Sequence, residues 1–177
     1  VYNNWIYQIY DTGITHQFSR DESTERNIMA DIEYNDNLIE YCFWSIEYYN
    51  STGGEGTYRE TRDVYVHDNF CRFGGEGWGC KGREDSAPLY SLGSIPDVTE
   101  NYVTENNIFD RSMGYLVTLL KEEGVGLYKF RHNTYVQPFG RIFSYVGGQR
   151  LPFDGTVAET LKKYFGEESP VLAVIVE

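Results

Sequence analysis

At 177 residues, with 41% hydrophobic and 24% charged side chains, the chain has the size and composition of one folded domain, which excludes wholesale disorder. Its formal charge of −12 repels phosphate backbones and anionic membrane surfaces, and no lysine-arginine stripe offsets it, so a nucleic-acid partner is set aside. No apolar run approaches the ~20 residues that cross a bilayer, so no membrane span is expected, and the start Val1-Tyr-Asn-Asn-Trp5 lacks a signal peptide's regions, so the chain reads as cytosolic or already processed.

Sixteen Tyr, ten Phe and three Trp favour pleated strands over helices, and no internal repeat is visible. Trp5 to Tyr10 alternates and stops at Asp11-Thr-Gly13, which predicts a strand and a turn. Asn27 to Asn35 and Leu38 to Tyr49 then predict a hairpin about Asn35-Asp-Asn37. The second of these strands is apolar on both faces, Leu38, Cys42, Trp44, Ile46 and Tyr48 on one and Ile39, Tyr41, Phe43 and Tyr49 on the other. Such a strand is covered on both sides or lines an aromatic-walled cavity. Tyr58 to His67 reads as a more exposed strand, and residues 70–98, rich in Gly, Pro, Ser and charge, as a long surface loop. Residues 101–123 fit a helical face and a hairpin about equally, and the hairpin is preferred. Tyr128 to Val136 alternates and Phe139 to Val146 continues it, which predicts a meander. Thr156-Val-Ala-Glu159 has the pattern of a capping box, so 155–166 is expected to be a short amphipathic helix, and the apolar run over 170–177 a buried final strand. The expected fold is therefore mainly β (α+β): one domain over 1–177, a bent antiparallel sheet or half-barrel meander with one short C-terminal helix.

Cys71 and Cys80 bracket a segment with four glycines that can double back, so a disulfide between them is expected and Cys42 should be unpaired. Asn50-Ser-Thr52 is a glycosylation sequon in a turn. Together these favour an extracellular or secretory-lumen location over the cytoplasm. Zinc lacks any ligand spacing of the usual kind. Asp31 and Glu33 share a strand face and make calcium the one cofactor considered, although with 27 acids a solvated face is the simpler reading. Neither a nucleophile elbow nor a phosphate loop occurs, and Gly53-Gly-Glu-Gly56 reads as turn chemistry.

The succession Asp31-Ile-Glu-Tyr-Asn35, Ile46-Glu-Tyr-Tyr-Asn50 and Tyr58-Arg-Glu-Thr-Arg-Asp63, followed by a cysteine-bearing loop, resembles ependymin-related proteins and lipid-carrying half-barrels over roughly residues 27–146. That resemblance implies secretion, a bent antiparallel sheet and a pocket for lipid-like ligands. The residues themselves point to a binding module in which Tyr41, Phe43, Trp44, Tyr48, Tyr128 and Phe130 line a pocket for a lipid-like or other apolar small molecule. Two alternatives stand beside it: a subunit whose aromatic surfaces pack on a protein partner, and a carbohydrate-active enzyme with an Asp/Glu pair, since Trp and Tyr faces stack on sugars.

Overall fold

The computed structural model describes residues 1–18, 27–50, 58–93 and 97–175. The chain winds into coils, the first four of which each lay one strand on each of three sheets. The first coil carries β1 (Trp5–Tyr7), β2 (Thr12–Phe18) and β3 (Asn27–Asn35); the second β4 (Leu38–Glu40), β5 (Trp44–Asn50) and β6 (Arg59–His67). The third carries β7 (Phe70–Gly74), β8 (Pro88–Leu92) and β9 (Val98–Glu105), and the fourth β10 (Ile108–Ser112), β11 (Tyr115–Leu119) and β12 (Lys129–Arg131). The last holds β13 (Thr134–Pro138), β14 (Ile142–Val146), β15 (Gln149–Pro152), α1 (Val157–Phe165) and β16 (Val171–Ile175). The sheets run β1-β4-β7-β10-β13-β16, β15-β14-β11-β8-β5-β2 and β12-β9-β6-β3. All their pairings are parallel except β14 with β15.

The mainly-β class holds, and the antiparallel half-barrel is overturned: this is a three-sided parallel β-solenoid. Asn35-Asp-Asn37 is a corner between two sheets and not a hairpin turn, because β3 pairs with β6, one coil further on. Leu38 to Tyr49 is two strands, β4 and β5, on different sheets, broken where Tyr41 takes a left-handed backbone (φ 56°). Residues 101–123 contain no α-helix, and the expected hairpin of Gly114–Leu120 with Leu127–Val136 does not form, since β11, β12 and β13 lie on three different sheets. The expected loop over 70–98 contains β7 and β8, leaving Gly75–Ala87 as the excursion between them.

One corner sets the winding. Asn4, Asn37, Asn69, Asn107 and Asn133 stack along the axis, and each donates its side-chain amide to the side-chain oxygen of the next at 2.8–3.0 Å. Asn133 hands the ladder to Glu167 at 2.9 Å. The steps are 33, 32, 38, 26 and 34 residues. Each ladder residue follows a left-handed one: Asn3, Asp36, Asp68, Asn106, His132 and Gly166 have φ between 54° and 63°. Asn and Asp tolerate that conformation better than other side chains. The buried amides also saturate corner carbonyls, as Asn69 does for Tyr34 at 2.8 Å and His67 at 2.9 Å.

The bore is filled by inward side chains. Ile6, Ile39, Cys71, Phe109 and Tyr135 are in register on the first sheet, and Ile14, Ile46, Tyr90 and Val117 on the second. Aromatic rings dominate toward the C-terminus, with Tyr90 5.9 Å from Phe130 and Phe130 5.3 Å from Phe165. α1 closes that end by burying Val157, Leu161 and Phe165 and stops at Gly166 (φ 63°). Its start is held by Asp154, whose Oδ1 accepts from Thr156 N at 2.8 Å and Oγ1 at 2.6 Å, in place of the expected capping box. β16 is an edge strand with Val171 and Val174 more than half exposed, not a buried one.

All three cysteines are free and buried. Cys71 points into the bore, whereas Cys80 packs outside it with Phe43 and Ala87, because the glycine-rich segment carries the chain out over a corner and does not fold it back. The expected Cys71–Cys80 disulfide is therefore not formed.

Glu167 ends the ladder as a buried carboxyl pushed above its ordinary value by burial, against hydrogen bonds from Tyr135 (2.6 Å) and Asn133 (2.9 Å). A group raised on folding favours the fold at low pH and loses that advantage as pH rises through its folded value. Asn133 Nδ2 and Tyr135 Oη donate to the same oxygen of Glu167, and Glu167→Gln can keep an oxygen there that accepts from both, so its stability should stay within about 1 kcal/mol of wild type at pH 5. It should gain on wild type between pH 5 and 8 in urea denaturation, and a constant difference across that range would contradict this account of the buried carboxyl.

Candidate functional site

The winding separates an inner from an outer face, and that decides where the expected pocket residues go. Tyr48, Tyr128 and Phe130 lie in the bore, where Tyr48 is 6.4 Å from Tyr128 and hydrogen-bonded to Thr61 Oγ1 at 2.7 Å. They fill core. Tyr41 sits at a corner in a strip of rings with Tyr7 (5.5 Å) and Phe73 (5.0 Å). Phe43 packs with Cys80 and Ala87 outside the bore. Only Trp44 reaches a concave surface, so the six residues do not form one pocket. β5 ends at Asn50, and the rest of the sequon, Ser51-Thr52, lies outside the described residues.

The concave surface is a trough of about 280 Å³ on the outer face of the second sheet. Its aromatic walls are Trp44 and Tyr49 from β5, Tyr115 from β11 and Tyr145 from β14, with Tyr115 and Tyr145 5.8 Å apart. Its floor is the outward column in which Glu47, Ser91 and Thr118 occupy equivalent positions on successive strands, with the wall residue Tyr145 next in the same column. Ser91 and Thr118 are linked at 3.3 Å. Parallel register places one floor residue per coil, at about 4.8 Å per step. Pro88 and Ser86 close the side nearest the Gly75–Ala87 excursion, and Leu120 the other.

Glu47 carries the trough's electrostatics. Burial pushes its carboxyl above the ordinary value and the neighbouring Asp11 adds to the rise; Thr12 Oγ1, which donates at 2.9 Å, and the more distant Thr15 and Gln17 act the other way. A carboxyl held by neutral donors at the base of an aromatic trough accepts hydrogen bonds from hydroxyl groups and, when protonated, donates one.

A larger depression of about 800 Å³ by Leu120, Lys121, Glu122, Glu123 and Gly147 is open and lacks an aromatic ring. Asp31 sits in a left-handed backbone (φ 57°), and Glu33 Oε1 lies 3.0 Å from His67 Nε2. Among the described residues no group of three or more His, Cys, Asp or Glu side chains is arranged to hold a metal, and no helix is long and apolar enough to cross a membrane.

Sequence reasoning missed the trough because Glu47, Ser91, Thr118 and Tyr145 lie far apart along the chain and share a surface only through the winding. The signal that predicts such columns is the recurring Asn-Asn or Asp-Asn pair at 3–4, 36–37, 68–69 and 106–107. No protein-family model, curated protein or solved structure matches this chain.

Proposed function

We propose that the chain is a binding module that holds a saccharide in the trough on the outer face of the second sheet. The supporting observation is the combination of four aromatic walls with a floor of Glu47, Ser91 and Thr118. A sugar ring has apolar C–H faces that stack on aromatic rings and a rim of hydroxyls that needs acceptors and donors, and this surface offers both. The polar floor supports a sugar over the lipid-like ligand expected from composition, because an acyl chain would cover Glu47, Ser91 and Thr118 without offering them a hydrogen bond. The net charge of −12 favours a neutral saccharide over an acidic one.

Titration calorimetry with cellohexaose, xylohexaose and mannohexaose tests the reading. At least one should bind, and Trp44→Ala should weaken it about tenfold, the upper end of what an aromatic contact contributes beyond area burial. Trp44 is half-buried and borders open space, so its truncation should cost well under the ~3–5 kcal/mol of a core tryptophan. Uptake of a fluorescent fatty acid lost in Trp44→Ala, with none of the oligosaccharides bound, would replace the saccharide by a lipid-like ligand.

A further inference from the structure

We infer that Arg83 is a positioning residue that latches the Gly75–Ala87 excursion onto the solenoid and thereby fixes Trp44 as the wall of the trough, an inference that rests on the saccharide reading for its function though not for its geometry. The excursion is the longest connection on its corner and carries two 3-10 turns, Trp78–Cys80 and Glu84–Ser86. It is docked. The Arg83 guanidinium lies between two rings, 3.7 Å from the centroid of Phe43 and 4.3 Å from that of Tyr10, and Arg83 Nη2 donates to the Tyr10 carbonyl. Arginine suits this place because its flat, permanently charged group can stack on an aromatic ring while its edge donates, which the point charge of lysine does less well.

Phe43 transmits the latch. Its ring is 5.2 Å from the Trp44 ring, and Trp44 packs against the small cluster that Phe43 forms with Cys80 and Ala87 of the excursion. Arg83, Phe43 and Trp44 therefore form a stack running from the excursion to the trough, and Ser86, three residues beyond Arg83, lines the trough itself. Close backbone approach shows that the docking is built in: a Cβ on Gly77 would lie 2.1 Å from the Tyr41 carbonyl oxygen, and one on Gly114 2.4 Å from the Ala87 nitrogen. Glycine at both positions lets the two ends of the excursion sit against neighbouring coils. A wall held in its bound orientation before the ligand arrives spares the cost of ordering it on binding.

The test uses the full chain with Trp5→Phe and Trp78→Phe, which leaves Trp44 as the only tryptophan. Arg83→Ala in that background should raise the acrylamide quenching constant of Trp44 about twofold and weaken the oligosaccharide bound by wild type about tenfold, with circular dichroism unchanged. Arg83→Lys should restore part of both. Tyr10→Leu, which removes one ring and leaves the carbonyl, should give a smaller shift in the same direction, and it serves as the test if Arg83→Ala does not fold. Unchanged quenching in Arg83→Ala, or in Tyr10→Leu where that stands in for it, overturns the latch. A wild type that binds none of the three oligosaccharides overturns the saccharide reading instead, and the quenching experiment still decides the latch.

Discussion

Asn69→Ala should destabilise the fold by about 4 kcal/mol, a large share of the 5–15 kcal/mol that holds a typical domain together. Asn69 is buried in the middle of the ladder. Its oxygen accepts from Asn37 N at 3.2 Å and Asn37 Nδ2 at 2.8 Å, and its amide donates to Tyr34 O, His67 O and Asn107 Oδ1 at 2.8–3.0 Å. Alanine leaves the Asn37 N–H and the Tyr34 and His67 carbonyls without these partners, and each buried polar group left unsatisfied costs about 1–3 kcal/mol. Asn4→Ala is the internal control. Asn4 stands at the end of the ladder, where its contacts to Asn37 are only partly buried, so water replaces them and the loss should stay below about 1 kcal/mol. Urea unfolding of the two variants measures the contrast. Equal effects at both positions would mean that the corner is held by apolar packing and that the ladder contributes little.

Lowering the pH from 7 to 4.5 should remove about 2–3 kcal/mol of stability through His16 alone. Its ring is buried, with Nε2 3.0 Å from Tyr102 Oη and Nδ1 without a hydrogen-bond partner. It stacks on Tyr48 at 4.8 Å, with Tyr34 at 5.5 Å and Tyr102 at 5.8 Å. These neighbours are neutral phenols, and burial itself raises the Tyr34 and Tyr102 hydroxyls further above neutrality. None of these neighbours compensates a positive charge, and burial lowers the His16 pKa from 6.5 to about 3. Above pH 6.5 the ring is neutral in both folded and unfolded chains and adds no pH dependence. Between 6.5 and 3 the unfolded chain binds a proton that the folded one refuses, so stability falls by about 1.4 kcal/mol per pH unit. Glu47 and Glu167, both raised on folding, act in the opposite sense, so wild type alone does not isolate the effect. The difference between wild type and His16→Phe does: the variant should gain about 2–3 kcal/mol relative to wild type between pH 7 and 4.5. An unchanged difference would place His16 in contact with water.

Aromatic and β-branched composition made strand content legible, and the Val157, Leu161, Phe165 stripe with Gly166 behind it marked α1, because these are properties of neighbouring residues. Strand pairing was not legible in that way. A hairpin and a solenoid corner can use the same local residues: Asn35-Asp-Asn37 has the composition of a tight antiparallel turn, and what makes it a corner is Asn69, 32 residues on, which accepts from the Asn37 N–H and side-chain amide. The regularity that discloses this is weak along the chain, since the steps vary from 26 to 38 residues, His132 replaces Asn or Asp in one pair, and Glu167 replaces Asn in the last.

The apolar run Leu38 to Tyr49 shows the same division at the site. Hydrophobicity by itself determined that most of these residues would be covered, with Tyr49 the exposed exception. Tertiary structure decided by what: the left-handed turn at Tyr41 puts β4 and β5 on different sheets, sends Ile46 and Tyr48 into the bore and leaves Trp44 on the outer trough. Side-chain alternation is a local property of a strand, whereas the column that sets Glu47 beside Ser91 and Thr118 exists only once parallel hydrogen bonding has brought successive coils into register.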